Sequence, residues 1–489
     1  MSVQTDLEKI VGSGNVLSGP ETLSEYSQDQ SFVQARRPDC VVLPATVEQV
    51  QDVIRYANKH KNPVIPFSSG KNLHGAAIPD QGGIILNLKK MDKILQVDEV
   101  NWFAVIEPGV TYAKLQDELM KKGFRIMIPW GVPPDRSVLT SYLERDPVLQ
   151  SANFEHANAL IMDMEMVLPE GELFRTGYWA TGGKPGGPLG PIRNIVYRLW
   201  TGAQGTLGVI TKMGVAIHPI PPMRKVFFLA FDSLEEMIEP MKRIQRREIG
   251  MECFALNSFN LAALLNDDWT VPASFPCDPV ASPAFKEIQA SLPRWTMVIC
   301  LQGFERLPEE KIAYEEEALK ETCEAAGVEL LTTLPSCIAT DKLFLAEFLK
   351  PFNALKKFRF KGSVHDLTFK SPLMKMGEME NLLLSHCYQE GYPPQEVGGY
   401  CLPIERGRAI HLEMDLHCDL RDTEETEKVK HVWYRASELL MNNGAYFDRP
   451  YGLWAEMVYS RAGNYTQKLR DVKREIDPNN ILNPGKLCF

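Results

Sequence analysis

Four ionisable side chains recur at every second position in the stretch HLEMDLHCD: His411, Glu413, Asp415 and His417, with Leu412, Met414 and Leu416 between them. In an extended strand that period turns the four polar groups to one face and the three apolar ones to the other. Such a face lines a polar cavity, meets solvent, or holds a metal, since imidazole and carboxylate together suit zinc or iron. A second constellation, PFSSGKNLHG, places Phe67, Ser68, Ser69, Gly70, Lys71, Asn72, Leu73 and His74 after a short apolar run. Successive backbone amides in so open a turn can cradle an anion; the alternative is an ordinary surface loop. The stretch has neither the phosphate-loop pattern ending in Gly-Lys-Ser/Thr nor the Gly-x-Gly-x-x-Gly of a dinucleotide turn. Two more segments are small-residue and tight: IEPGVTY, with Pro108, Gly109, Val110 and Tyr112, and GAQGTLGVIT, with Gly205, Thr206, Gly208, Val209 and Ile210. They let a planar ligand lie against the backbone, or serve only as strand entries. In FDRPYGLWAEMVYSR, Trp454 and Met457 read as core, whereas Tyr451, between Pro450 and Gly452, aims at a pocket beside Arg449.

The elements that must position these groups follow from pattern. TVEQVQDVIRYANKHK carries Val47, Val50, Val53, Ile54 and Ala57 at helical spacing behind Thr46 as N-cap. CVVLPA, NPVIPFSS, GGIILNLKKM and FAVIEPG read as strands, and AKLQDELMKKG as a helix stopped at Gly123. MEMVLPEGELFRTG is a hairpin signal, and TGGKPGGPLGPI a loop. Pro221-Pro222 marks a domain boundary. Beyond it, strands such as WTMVICLQGF and RAIHLEMDLHCD alternate with long helices, which suggests an antiparallel sheet flanked by helices. The proline-dense run 268–295 has no assigned role.

Composition bounds the function. At 489 residues the chain supports two or three domains. A net charge of −10 without a basic stripe argues against a nucleic-acid surface. No membrane span and no leader pattern are read, and the ten cysteines form no Cys-x-x-Cys pair, so reduced thiols in the cytoplasm are expected, with no zinc ribbon or iron–sulfur site.

Taken in order, PFSSGKNLHGAAIP, GGIILNLKKMDKILQVDEVNWFAVIEPGVTYAKLQDEL, MEMVLPEGELFRTG, GAQGTLGVITKMGVAIHPIP and the tail IDPNNILNPGK resemble the vanillyl-alcohol oxidase / p-cresol methylhydroxylase flavoproteins. The resemblance implies an α+β fold: a two-part FAD-binding domain over 1–222 (core about 38–222), a cap or substrate domain over 223–444 with an antiparallel sheet flanked by helices, and a segment 445–489 returning to the FAD domain. It implies that Phe67 to Leu73 wrap the FAD pyrophosphate, with His74, Glu107 to Val110, Gly202 to Ile210 (Gly205, Thr206 and Gly208 among them) and Asn483 completing the cofactor site. Hydride would pass from the carbon of an aromatic alcohol or para-alkylphenol to flavin N5. Tyr112 and Tyr451 fall where the family's phenol-binding tyrosines are expected. The expected arginine is replaced by Gly452, with Arg449 as substitute, and an acidic residue near the flavin is replaced by His156. His411, with Glu413 as its neighbour, is the first candidate for a covalent flavin tether, and His74 the second; noncovalent FAD is the alternative. No metal is implied on this reading. A 2-hydroxy-acid dehydrogenase, gripping a carboxylate with a metal and arginine through His411, Glu413 and His417 with Arg406, Arg408 and Arg449 nearby, and a flavin subunit passing electrons to a protein acceptor are the competing readings. A homo-oligomer, dimeric by analogy, is the implied assembly.

Overall fold

The computed structural model describes residues 3–71, 74–150, 160–184, 194–334 and 339–489. Within them the chain is a two-domain α+β fold whose first three sheets use residues 16–219 and whose fourth uses 223–418. In the four-stranded sheet, Cys40–Val42 and Val64–Phe67 both run parallel to Ile84–Asn87. The crossover between the first two is the helix Val47–His60. Its expected stripe is buried, and Thr46 caps it by accepting from the Gln49 amide at 3.3 Å. The second sheet is antiparallel and five-stranded, in the order Ile94–Asp98, Phe103–Ile106, Val209–Ala216, Ile161–Val167, Leu173–Arg175. Its last two strands form the hairpin expected around Pro169-Glu170-Gly171, closed by the Leu168 amide donating to the Glu172 carbonyl at 2.9 Å.

The cap sheet has six strands, all antiparallel: Met223–Phe231, Trp295–Gly303, Glu252–Asn257, Gly398–Ile404, Ala409–Cys418 and Ser363–Ser371 across the sheet. One face packs Trp295, Met297, Phe369, Leu412 and Met414 under the helices Leu234–Arg246, Pro308–Ala326, Met376–Gln389 and Thr423–Asn442. Part of the opposite face packs Phe228, Phe254, Val298 and Leu402 on the helices Ser258–Leu265 and Thr340–Glu347. The remainder of that face, at the strands around 366, 400 and 413, carries polar residues.

Contacts from the chain's end and between the domains help to close the molecule. The C-terminal segment joins the first sheet, where Val64 N–H donates to Ile481 O at 2.7 Å and Asn483 N–H to Val64 O at 2.9 Å. Between the domains, buried Arg125 meets buried Glu252 at 2.9 Å, and Gln150 and Gln302 both donate to the same carboxylate. No helix among the described residues is long and apolar enough to cross a membrane, and the nine described cysteines are free.

Candidate active site

A cavity runs between the Pro66–Lys71 loop, Pro108, the 136–144 segment and the Trp200–Ile210 stretch. The loop is held by side-chain hydrogen bonds. Ser68 Oγ and Thr140 Oγ1 share a hydrogen at 2.6 Å, and Ser69 Oγ accepts from the Ser137 amide at 3.1 Å. Gly70 and Gly205 have φ of +67° and +72°, and a Cβ would lie 2.4 Å from the Phe67 ring in the first and 2.8 Å from Pro66 in the second. These turns exist only without side chains. Both lining cations are already paired, Lys71 with Asp135 at 2.9 Å and Arg136 with Glu144 and Asp146 at 2.7 Å each. An anionic ligand here is therefore met by backbone dipoles more than by free charge. Gln204, also on the wall, has both its amide nitrogen and its amide oxygen buried without a partner. A heterocycle with mixed donors and acceptors would satisfy it. The residues present fit FAD.

A second cavity shares Lys71, Arg136 and Glu144 with the first and opens onto the polar part of the cap sheet. Strand register places Glu413 opposite Tyr400 on one side and Thr368 on the other, with Asp415 opposite Asp366 and His411 opposite Lys370. The alternation of Ala409–Cys418 thus delivers His411, Glu413 and Asp415 to the cavity. Lys357 reaches across, 2.8 Å from both Glu413 and Asp415. Asn260 donates to Asp415 at 3.0 Å, an approach that requires Gly398, whose Cβ would lie 2.6 Å from both groups. Trp130, Tyr400, Phe275 and Phe358 supply aromatic wall.

The charges are unevenly balanced. Burial, with help from Asp415 and Asp366, pushes the Glu413 carboxyl up to about 7 against the pull of Lys357. Burial also opposes ionisation of Asp146, but Arg136 and Arg449 together hold it below the usual carboxylate range. Arg449 forms its ion pair with Asp146 from 303 residues away. His74 lies 3.7 Å from Asp366, and burial lowers its basicity although that carboxylate raises it.

The expected site residues divide into three groups. Phe67 to Lys71, Pro108, Gly205, Gly208 and Ile210 line the first cavity; His74, His411, Glu413 and Arg449 line the second. Others act from behind. Gly109 packs under Lys89 and Met91, Val110 and Val209 are core, and Thr206 is buried with its hydroxyl on Ala203 O. Asn483 donates to Ala76 O and Gln204 O, so it ties two loops together rather than lining the cavity. Tyr451 donates to Glu144 O at 3.1 Å and walls a smaller pocket with His74 and Asp366. Tyr112 is 0% exposed, opens the helix Tyr112–Met120 and packs on Tyr142, and it is not among the residues lining either cavity. His417, on the right face of its strand, is enclosed by Phe259 and Phe360 instead. Arg406 and Arg408 sit on the outer turn, 59% and 81% exposed, away from both cavities. Asn72, Leu73 and His156 lie outside the described residues, as does most of the 181–192 loop. Arg136, Glu144, Asp146, Lys357, Asp366 and Tyr400 were not anticipated.

Two cavities meeting at a shared wall, one built of backbone and one of ionisable side chains, are the layout of a FAD-linked oxidoreductase. Family models agree with that class: residues 38–177 match a FAD binding domain, and 410–487 match the C-terminal domain of FAD linked oxidases. Over 98% of this chain and 93% of the other, the sequence is 26% identical to the 4-cresol dehydrogenase [hydroxylating] flavoprotein subunit of Pseudomonas putida. It is 23% identical to a D-2-hydroxyglutarate dehydrogenase of Stutzerimonas stutzeri over 99% of this chain and 98% of that one. Among solved structures, p-cresol methylhydroxylase with substrate bound superposes with a TM-score of 0.81 at 21% identity, covering 98% of this chain and 95% of that one. A 4-ethylphenol oxidase from Gulosibacter chungangensis gives the same figures. The chain thus carries a FAD binding domain and the C-terminal domain of FAD linked oxidases, and it shares the fold of p-cresol methylhydroxylase.

Proposed function

We propose that this enzyme oxidises an aromatic alcohol or para-alkylphenol held in the second cavity. The observation that carries this reading is the state of the cations there. Lys71, Arg136, Lys357 and Arg449 are each in an ion pair, and five carboxylates line a wall with four cations. A substrate carboxylate would find no uncommitted positive charge among the described lining residues, whereas a neutral ring finds Trp130, Tyr400, Phe275 and Phe358. FAD, when bound, takes up the hydride released at the substrate carbon. Glu413 accepts the proton from the substrate hydroxyl, as a carboxylate near neutrality suits a general base. Lys357 keeps Glu413 and Asp415 oriented, and Tyr400 stacks against the ring. Arg449 and Tyr451, bonded to Asp146 and Glu144, hold the wall between the cavities.

Of the two tether candidates, His411 faces the second cavity from its strand and His74 from the loop; acid precipitation of the yellow protein separates a covalent from a released flavin. The P. putida relative is named as a flavoprotein subunit, which supports a protein electron acceptor here too; slow reoxidation of the reduced flavin in air is the expected result. The substrate test is anaerobic bleaching of the FAD-loaded protein. Para-alkylphenols and benzylic alcohols should bleach it, and bleaching by D-2-hydroxyglutarate, D-lactate or glycolate alone would overturn the reading.

A further inference from the structure

The loop 266–282 leaves the cap between the helices Ser258–Leu265 and Pro283–Ser291. Its stem is closed by Asn266 donating to Ser282 Oγ at 3.1 Å, Ser282 donating to Asp268 at 2.7 Å, and Trp269 Nε1 donating to Val280 O at 2.9 Å. Its tip docks on a single cap segment. Cys277 N–H donates to Gly362 O at 2.9 Å, Val280 N–H to Arg359 O at 2.8 Å, and the Arg359 guanidinium to Thr270 O and Asp278 O. Val271, Phe275 and Cys277 pack on Leu355, Phe358 and Val364, a small cluster separate from both main cores of the cap.

Phe275, Leu355, Phe358 and Val364 also line the second cavity. The Phe275 ring meets Phe358 edge-on at 4.4 Å, and Lys71 of the flavin-side loop stands 5.6 Å over it. On either side of this half-buried ring, Ala273, Ser274, Pro276 and Asp278 are exposed. At this point one thickness of chain separates the cavity from solvent, and Phe275 is its inner surface.

We propose that the 266–282 loop forms the mouth of the substrate cavity and that Phe275 sets the size of the apolar ring substituent it admits. This rests on the aromatic-substrate reading and adds its selectivity. A substituent reaching this end is desolvated against four apolar side chains, so it must be uncharged, and its length is limited by the distance at which the Phe275 ring stands.

The test uses the full-length, FAD-loaded protein and three neutral probes, 4-methylphenol, 4-propylphenol and 4-phenylphenol, with Kd read from perturbation of the flavin absorbance. Phe275→Ala should tighten 4-phenylphenol relative to 4-methylphenol by at least about tenfold, and Phe275→Trp should shift the ratio the other way. A ladder of affinities identical in all three proteins, or one in which every phenol shifts equally, overturns the inference while leaving the aromatic reading standing. An unaltered protein whose flavin responds to none of the phenols overturns both.

Discussion

Glu413 and Lys357 make the sharpest claims at the scale of single residues. A base must be ionised to accept a proton, and burial has moved the Glu413 carboxyl up to about 7. The rate of flavin reduction should therefore fall as pH drops through that region and level off above it. Glu413→Gln should remove this acidic limb and lower the rate by roughly 10²- to 10⁴-fold, read by stopped-flow reduction across pH. Lys357→Met leaves Glu413 and Asp415 side by side without their cation. Two carboxylates so placed resist joint ionisation, so the limb should move to higher pH in that variant. An unmoved limb would mean that another group is the base.

Among elements, the loops and their supports decide whether cofactor stays bound. Gly109 donates its amide to Met91 O at 2.7 Å, and a Cβ there would stand 2.6 Å from Lys89 O. Gly109→Ala should force the loop outward at a cost of about 1–3 kcal/mol and weaken FAD retention, seen as a lower Tm and a higher Kd for FAD. Lys473, only 4% exposed, donates to Thr206 O, Leu482 O and Asp477, joining the C-terminal helix to the flavin-side stretch. Lys473→Met strands the buried Asp477 carboxylate and should cost about 3–5 kcal/mol by denaturant titration. These elements differ in how far the sequence alone reveals them. Period two exposed the chemistry of Ala409–Cys418, and the glycines marked the 67–71 and 205–208 turns, because both signals are local. His417 escaped that logic since its enclosing rings, Phe259 and Phe360, come from distant segments. Arg136, Glu144 and Asp146 flank the short helix Val138–Leu143, and only folding brings Arg449 beside them. Lys357 lies in the basic run LKKFRF, and its carboxylate partners, Glu413 and Asp415, come 56 and 58 residues later in the chain. A tyrosine after a Pro-Gly turn, as Tyr112 is, looks the same in sequence whether it faces a ligand or the core.

For the whole molecule, the Arg125–Glu252 pair sets how tightly the two domains act as one. Both side chains are buried, and two glutamines converge on the carboxylate. Arg125→Met would leave Glu252 uncompensated, at a cost of about 3–5 kcal/mol. Unfolding in urea, followed by flavin release and by far-UV signal, should then separate into two transitions where the unaltered protein shows one. Asn483 and Lys473 carry a different consequence. They clip together loops built from residues 64–77 and 204–206, yet they come after the entire cap in chain order. On the ribosome the flavin site stays open-ended while the cap is made, and closes only when these late residues emerge from the exit tunnel. Cofactor loading is then one of the last events of biosynthesis, and nascent chains stalled before residue 473 should carry no yellow colour, while chains released beyond residue 483 should.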